Sequence, residues 1–466
     1  MSGGLLTING GFNGQTGLVG TPSDFPTTIN QLLQDYLNGV STSLIGGSEG
    51  LENYDAFSPG SPYFVPGPNL LEEITNTDSN GSVSSGTVTG SVTVNPLATQ
   101  LIVQAPGNFT VNGNDSTSFA LFGAASNVDY IANGSQTGSI FAAGGADTIN
   151  LGFNANSSAE SIYSAGKDLI QLFNQGDDQV SITGNANDTV QIQEADATVT
   201  ATGNSTVNVF WYAPNSGGSL DFINNSSVYE TVNGGIFNGV QSATHVTVDG
   251  GAGGGYYVAG AGGGSSLYGG SGDVFLVGAG PNDTLEATGS TALPDNPLEG
   301  NALFSGGARE VLIATSTTDG NVFAAGYEYP GFSTPPVANG IISSQGSGLQ
   351  EYFLGSTQGE TVYGSTVASA TNSYNVISDS TVGVGSGNDY IVNFVSSGND
   401  FIDLSNYAYD APGTASISSI TADSVGNPTD PNGTLIALSD GTDIHLIGFN
   451  PADVFTTTGA NGTLIY

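Results

Sequence analysis

Cysteine is absent from this chain of 466 residues, which excludes disulfide bonds, thiol chemistry and cysteine-ligated metal sites. Basic side chains are almost absent too: Lys167 and Arg309 stand against 41 acidic residues, and the formal net charge is −39. Nucleic acid and anionic lipid are therefore poor partners, because proteins bind both through basic side chains that neutralise phosphate. Cations are the expected partners, since they reduce the self-repulsion that such a charge imposes on a folded chain.

Long hydrophobic runs are missing as well. No segment reaches the ~18 apolar residues that a membrane-spanning helix needs, so membrane insertion is not expected. The first residues, Met1 to Leu6, contain neither the basic region nor the apolar stretch of a secretory signal peptide. On these two features alone, the chain would be assigned to the cytoplasm.

The residues that are present favour a folded, all-β protein. Acidic composition often accompanies disorder, but 38% of this chain is hydrophobic and includes 22 Phe and 19 Tyr, which is enough to bury a core. Glycine, at 71 residues, is interleaved with Val, Ile and Thr. This mixture predicts many short strands joined by tight turns.

The chain divides by pattern into three segments. Residues 1–80 are rich in proline and read as an irregular N-terminal arm or cap. One short helix is predicted there from the spacing of Ile29, Leu32, Leu33, Tyr36 and Leu37, either as a lid over the first coil or as an assembly contact. Residues 81–380 read as a repetitive β body, and residues 381–466 as a distinct C-terminal β domain.

The body shows a regular spacing of aspartates. Asp168, Asp178 and Asp188 are ten residues apart, and each is followed two positions later by Ile or Val. The same step recurs between Asp273 and Asp283, and a step of eleven between Asp389 and Asp400. Two such steps make a coil of about twenty residues, and a fixed period of this kind indicates a stacked solenoid rather than a β-sandwich.

The recurring unit is Gly-x-Asp-x-(Ile/Val), as in Gly145–Ile149, Gly166–Ile170, Gly176–Val180, Gly387–Ile391 and Gly398–Ile402. It resembles the core of the calcium-binding nonapeptide of the repeats-in-toxin (RTX) family. The resemblance implies a right-handed parallel β-solenoid or β-roll, in which Asp carboxylates and glycine-turn carbonyls bind Ca²⁺, a cation that prefers about six to eight oxygen ligands. The candidate ligands that follow are Asp147, Asp168, Asp178, Asp188, Asp273, Asp283, Asp389, Asp400 and Asp403.

This motif departs from the family pattern at its leading glycine pair. Ala142-Ala143 occupies that place before Asp147, and Phe173-Asn174 before Asp178. A second interpretation therefore stays open, in which each aspartate hydrogen-bonds within its own turn and binds no metal.

The C-terminal segment carries a second resemblance. Asn399-Asp400-Phe401-Ile402-Asp403 is followed by a predicted hairpin, whose strands Thr434–Leu438 and Ile444–Gly448 flank the turn Asp440-Gly441. This order is similar to the end of RTX proteins and serralysin-type proteases, where an uncleaved C-terminal segment directs type I secretion. The resemblance implies a secreted protein, located extracellularly or at the cell surface.

Catalytic patterns are weak. His245 and His445 are the two histidines and lack metal-binding spacing, and neither a zinc-protease signature nor a Gly-x-Ser-x-Gly elbow occurs. A β-helix lyase acting on acidic sugars would need more cationic groups than Lys167 and Arg309. A hydrolase that uses paired carboxylates on a neutral glycan stays open, but the prediction is a protein without enzymatic activity.

The predicted function is structural: a secreted building block that assembles with itself into a surface layer, filament or biofilm matrix, with calcium promoting folding and assembly. Two different chain ends permit a head-to-tail contact that propagates. The alternative is an adhesin that binds a glycan, such as a cell-surface polysaccharide, or a host surface through aromatic-rich loops whose rings could stack on sugars. Its candidate residues, which could equally pack in the core, are Trp211, Tyr212, Tyr256, Tyr257, Tyr327 and Tyr329.

Overall fold

The structure is a computed structural model of the full chain. The residues that it describes are 5–9, 16–20, 29, 31, 52–55, 70–75, 88–94, 98–103, 106–113, 117–123, 126–132, 138–152, 159–193, 195–211, 218–234, 245–260, 262–271, 274–278, 280–288, 301–305, 311–314, 321–325, 340–354, 359–376, 387–395, 400–404, 417–423, 433–439, 441–459 and 462–466.

The chain forms two compact units, Met1–Val228 and Tyr229–Tyr466. The strands of the first unit are β1 (Leu5–Asn9), β2 (Thr16–Gly20), β3 (Glu52–Asp55), β4 (Leu70–Thr75), β5 (Val88–Thr93), β6 (Ala98–Val103), β7 (Gly107–Asn112), β8 (Phe119–Phe122), β9 (Ser126–Ala132), β10 (Gly138–Ala142), β11 (Thr148–Leu151), β12 (Glu160–Ser164), β13 (Leu169–Leu172), β14 (Asp177–Ile182), β15 (Asn187–Ile192), β16 (Asp196–Gly203), β17 (Thr206–Trp211) and β18 (Ser219–Ser226).

The strands of the second unit are β19 (Glu230–Asn233), β20 (His245–Asp249), β21 (Gly255–Val258), β22 (Ser266–Tyr268), β23 (Val274–Gly278), β24 (Thr284–Ala287), β25 (Asn301–Ser305), β26 (Val311–Ala314), β27 (Asn321–Ala325), β28 (Ile341–Ser344), β29 (Gly348–Leu354), β30 (Thr361–Tyr363), β31 (Ala370–Val376), β32 (Asn388–Val392), β33 (Phe401–Asp403), β34 (Ile417–Asp423), β35 (Gly433–Leu438), β36 (Asp443–Ile447), β37 (Thr456–Gly459) and β38 (Gly462–Ile465). A 3-10 helix, Pro451–Asp453, lies between the last two hairpins.

Parallel stacking of coils defines the fold in each unit, as the sequence predicts. Each coil contributes one strand to each of two parallel sheets, so that β11, β13 and β15 are neighbours in one sheet and β12, β14 and β16 in the other. Ile149 pairs with Ile170, and Ile170 with Val190, which gives coil lengths of 21 and 20 residues. The ten-residue step between aspartates is therefore half a coil, so successive aspartates lie in alternate sheets.

Longer coils in the second unit contain insertions. Leu267 pairs with Leu285 at a separation of 18 residues, but Phe323 pairs with Tyr352 at 29. The extra residues fall in the proline-containing segment 326–340, whose composition predicts an inserted loop. Stacking is preserved because each insertion leaves the strand register unchanged.

Buried side chains alternate with less buried ones along the strands, and the buried ones form the core between the two sheets. In β13 and β15 every second residue is buried, and Ile170 and Val190 are fully buried. In the second unit the core includes a stack of three buried rings, Phe323, Tyr352 and Tyr374, with centroids 5.2 and 5.0 Å apart. A single coil could not bury these side chains, so the stack of coils is what excludes them from water.

The described residues of the N-terminal segment include four strands. β1 and β2 pair antiparallel, and β3 and β4 already pair in parallel within residues 1–80. Helical conformation is present at Ile29 and Gln31, and the rest of the predicted helix lies outside the described residues. In the described part of the chain, no helix has the length and apolar character needed to cross a membrane.

Antiparallel strands complete the C-terminal end. The predicted hairpin is confirmed: β35 and β36 pair antiparallel, and Thr434 lies opposite Leu446. β36 pairs in parallel with β32, and β34 adds to the far side of β35. In the other sheet, β38 pairs antiparallel with both β33 and β37.

Two adjacent glycines in the turn before β22 form a matched pair for testing how contact between coils affects stability. Gly263 and Gly264 both have positive φ, at 78° and 70°. A Cβ on Gly263 would collide with the Pro281 carbonyl oxygen of the next coil, whereas one on Gly264 has His245 Nδ1 as its nearest neighbour, at 3.9 Å.

We expect Gly264→Ala to cost about 1–2 kcal/mol of folding stability, the usual cost of a left-handed non-glycine residue. Gly263→Ala should cost about 1–3 kcal/mol more, because the coils must also separate. Urea unfolding followed by circular dichroism measures both variants. Equal losses would mean that coil contact does not constrain this turn.

Candidate functional site

Seven of the nine predicted calcium ligands lie at the starts of strands and are buried: Asp147, Asp168, Asp178, Asp188, Asp283, Asp389 and Asp400. In the first unit, Asp147, Asp168 and Asp188 occupy equivalent positions on three successive coils, and each is almost fully buried. Each aspartate lies two residues before a buried aliphatic side chain, which puts both side chains on the inner side of the strand. We call these three residues the aspartate ladder.

Hydrogen bonds connect the ladder from coil to coil. Oδ1 of Asp147 accepts the backbone N–H of Val128 at 2.7 Å, Oδ1 of Asp168 accepts that of Asp147 at 2.9 Å, and Oδ1 of Asp188 accepts that of Asp168 at 2.8 Å. Each carboxylate thus reaches back to the equivalent position on the preceding coil. The Ser164 hydroxyl also donates to Asp168 Oδ2 at 2.6 Å.

The opposite sheet of the first unit repeats this arrangement. Asp178 accepts the backbone N–H of Glu160 at 2.9 Å, and a local bond from Asn174 Nδ2 at 3.2 Å. Glu160 is buried, and its carboxylate accepts a hydrogen bond from the backbone of Gly138 on the coil before. Glu160 was missed by the sequence reasoning because it lies in none of the Gly-x-Asp units.

Three candidate ligands in the second unit make the same bond. Asp283 accepts the backbone N–H of Ser265 at 2.8 Å, Asp389 that of Glu360 at 3.0 Å, and Asp400 that of Asn372 at 3.1 Å. Seven of the nine predicted ligands therefore bind a backbone amide of the preceding coil. Of the other two, Asp403 is half-buried in β33, and Asp273 lies outside the described residues.

Neutral amides fill the equivalent column in part of the second unit. Asn301 Nδ2 donates to Asn321 Oδ1 at 3.0 Å, and Asn321 Nδ2 donates to Gln350 Oε1 at 2.8 Å. Gln350 pairs in register with Asn372, whose Nδ2 donates to Asp400 Oδ1 at 2.9 Å. All these side chains are buried. Amides and carboxylates thus serve the same purpose, which is to connect the coils.

Burial raises the pKa of buried acidic side chains in the first unit. Burial, with a smaller contribution from the charges of Asp168 and Asp188, raises the pKa of Asp147 to about 8. Burial and the neighbouring Asp178 raise the pKa of Glu160 to about 8, and burial and Asp168 raise the pKa of Asp188 to about 7. The Oδ2 atom of Asp147 is buried and accepts no hydrogen bond, so the ionised form is poorly stabilised there.

The carboxylates are distributed among amides and do not converge on a point. Among the described residues, no group of three or more His, Asp or Glu side chains is arranged to hold a metal ion. Ca²⁺ takes about six to eight oxygens, and calcium binding by the predicted aspartates stays a prediction.

The two histidines differ in burial and in their contacts. His445 is buried between β35 and β32, where Nδ1 lies 2.6 Å from Asp423 Oδ2 and the ring stacks on Tyr390 at 4.6 Å. This position is central in the sheet, because β36 pairs with β32 on one side and with β35 on the other. His245 is exposed at the start of β20.

The aromatic candidates for glycan binding separate into buried and half-buried residues. Tyr257 and Trp211 are buried in the core and cannot stack on a ligand. Tyr256 is half-buried and stacks on Phe275 at 5.1 Å, which in turn stacks on Phe304 at 4.8 Å. Tyr212, Tyr327 and Tyr329 lie outside the described residues.

Comparison of the chain with protein-family models, curated proteins and solved structures found no match. The stacked parallel coils are compatible with an RTX-like repeat fold, and the relation to that family rests on the sequence motifs alone.

The hydrogen bond made by Asp147 predicts opposite outcomes for two substitutions. Asp147→Ala leaves the buried Val128 N–H without its acceptor and should cost about 1–3 kcal/mol. Asp147→Asn keeps an acceptor oxygen and removes a charge, so at pH 8 it should be at least as stable as the wild type. Urea unfolding followed by fluorescence of Trp211, the one tryptophan, reports on this unit. Equal destabilisation by Ala and Asn would show that the charge itself matters.

The raised pKa values predict that the first unit is more stable in mild acid than at neutral pH. The folded state binds more protons than the unfolded state between the ordinary carboxyl pKa near 4 and the raised values of about 6 to 8. The contribution of these groups to folding stability is therefore fully present below pH 4 and is lost as the pH rises to about 8.

The urea midpoint reported by Trp211 should accordingly be higher at pH 5 than at pH 8. The double variant Asp147→Asn/Glu160→Gln should reduce this difference, and the same change at exposed Asp129 should leave it unaltered. A midpoint that rises from pH 5 to pH 8 would contradict the burial argument.

Proposed function

We propose that this protein is a secreted, non-enzymatic structural protein that assembles with copies of itself into an extracellular layer, filament or matrix. The observation that supports the proposal is that the buried polar side chains of the protein link its coils. They connect one coil to the next through hydrogen bonds to the backbone and to one another, and the register repeats from coil to coil. Such a body supplies length and repetition, which a building block requires.

The net charge of −39 supports the extracellular part of the proposal. Copies that carry this charge repel one another at low ionic strength, and divalent cations screen the repulsion. Calcium would therefore promote assembly by screening exposed carboxylates such as Asp177, Asp196 and Asp221. This role requires no closed coordination site.

A second candidate function is binding of a neutral glycan. The stack of Tyr256, Phe275 and Phe304 is the observation that favours it, because half-buried rings spaced 5.1 and 4.8 Å apart form a continuous apolar strip. A glycan array separates the two functions, since an assembling protein need bind nothing on it.

We expect purified protein to form extended or sheet-like assemblies in millimolar calcium and to disperse when calcium is chelated. Negative-stain electron microscopy and sedimentation velocity measure both states. Magnesium at the same ionic strength distinguishes selective binding from screening, because screening should be nearly equal for the two ions. Monodisperse monomers with and without calcium would refute the proposal.

A further inference from the structure

Four strands end the two sheets and have a paired neighbour on one side only, within the part of the chain that is described. At the N-terminal end these are β3, which pairs with β4, and β5, which pairs with β7. At the C-terminal end they are β34, which pairs with β35, and β37, which pairs with β38. The free edge of such a strand presents backbone N–H and C=O groups to a further strand.

Three of these terminal strands lack an unpaired charge. β5 (VTGSVT) and β37 (TTTG) contain no acidic residue. β34 (ISSITAD) contains Asp423, which is buried and paired with His445 at 2.6 Å. By contrast, exposed acids occur on strands inside the sheets, including Asp177, Asp196 and Asp249. Strands without an acidic residue also occur inside the sheets, among them β7 and β13, but β5, β34 and β37 combine the lack of an unpaired acid with a position at the end of a sheet.

Most side chains of β34 are also left exposed by the rest of the fold. Ser418, Ser419, Thr421 and Ala422 are exposed, and Ile417 and Ile420 are half-buried. Its neighbour β35 has buried apolar side chains at Leu438 and Ile436. Natural edge strands are usually protected by charge, proline or a bulge that turns the edge away. The register of β34 against β35 shifts between Ile417 and Ser419, and the strand has neither charge nor proline along Ile417–Ala422.

We propose that the C-terminal edge of this chain, formed by β34 and β37, binds the N-terminal edge strands β3 and β5 of a second copy by strand addition. The inference rests on the proposed self-assembly and names its interface. Strand addition joins backbones and needs no matching side-chain pocket. The occupant is a second copy because the N-terminal edge offers strands with the same free backbone groups.

Charge favours the head-to-tail pairing over pairing between two N-terminal edges. The sequence of β3 contains two acids, Glu52 and Asp55, so pairing of β3 with β3 would join two acidic strands. Like charges opposed on adjacent strands destabilise a sheet. β34 presents no free acid to β3, and β37 presents none to β5. Because the two edges differ, the contact is heterologous and adds further copies unless its rotation closes a ring.

The test introduces charge at the exposed positions of β34 in the full-length chain. Ser419→Glu/Thr421→Glu adds two acids to this edge. The matched control, Gln179→Glu/Asn225→Glu, adds the same two charges at exposed positions of β14 and β18. Sedimentation velocity over a concentration series in millimolar calcium measures association, and circular dichroism with urea unfolding measures folding. Ser419→Pro repeats the test without added charge, because edge strands tolerate proline.

We expect wild type and control to form a series of species larger than a dimer, and the two edge variants to associate at least about tenfold more weakly. Edge variants that fold and associate like the wild type would overturn this interface and leave the proposed self-assembly intact. A wild type that stops at a dimer, lost in the edge variants, would overturn the head-to-tail partner in favour of β34 pairing with itself. A wild type that stays monomeric at every concentration would overturn both proposals.

Discussion

The structure depends on one interaction: a buried side-chain oxygen at the start of a strand accepts a backbone N–H from the preceding coil. A turn that enters a solenoid leaves amides inside the protein, where each one costs free energy unless it is paired. Side chains such as Asp168 and Asp283 supply the acceptor at a fixed place in the coil. The bond has a direction, because each coil reaches back to the one before it.

The same position accepts either an acid or an amide. Asp147, Asp168 and Asp188 occupy it in the first unit, whereas Asn301, Asn321 and Gln350 form the corresponding connected column in the second. Amides make these contacts without ionisation, so coil connection alone does not require charge. The acids of the first unit therefore make its stability depend on pH, a property that the amide column does not share.

The sequence predicts the architecture better than it predicts the site. The ten-residue repeat of aspartates predicts the coil length, and Asp440-Gly441 predicts the hairpin. Both can be predicted because they depend on the local chemistry of turns. The role of the aspartates depends on which side of the strand they face. That information was present, since Asp168 and Ile170 are two residues apart and must share a face. The partner of each carboxylate was not predictable, because it lies about twenty residues away on another coil. Glu160 and the amide column have no recurring motif and could be found only from the register.

The distribution of charge connects the fold to the proposed assembly. A net charge of −39 opposes contact between copies wherever exposed acids face one another. Among the described residues, exposed acids such as Asp196 on β16 lie on strands that already have two neighbours. The neutral strands β5, β34 and β37 each have a free edge and repel an approaching copy least. Charge therefore disfavours contact along the acidic strands, and backbone hydrogen bonding favours contact at the ends. A cation that screens the acids would strengthen association without changing which strands meet.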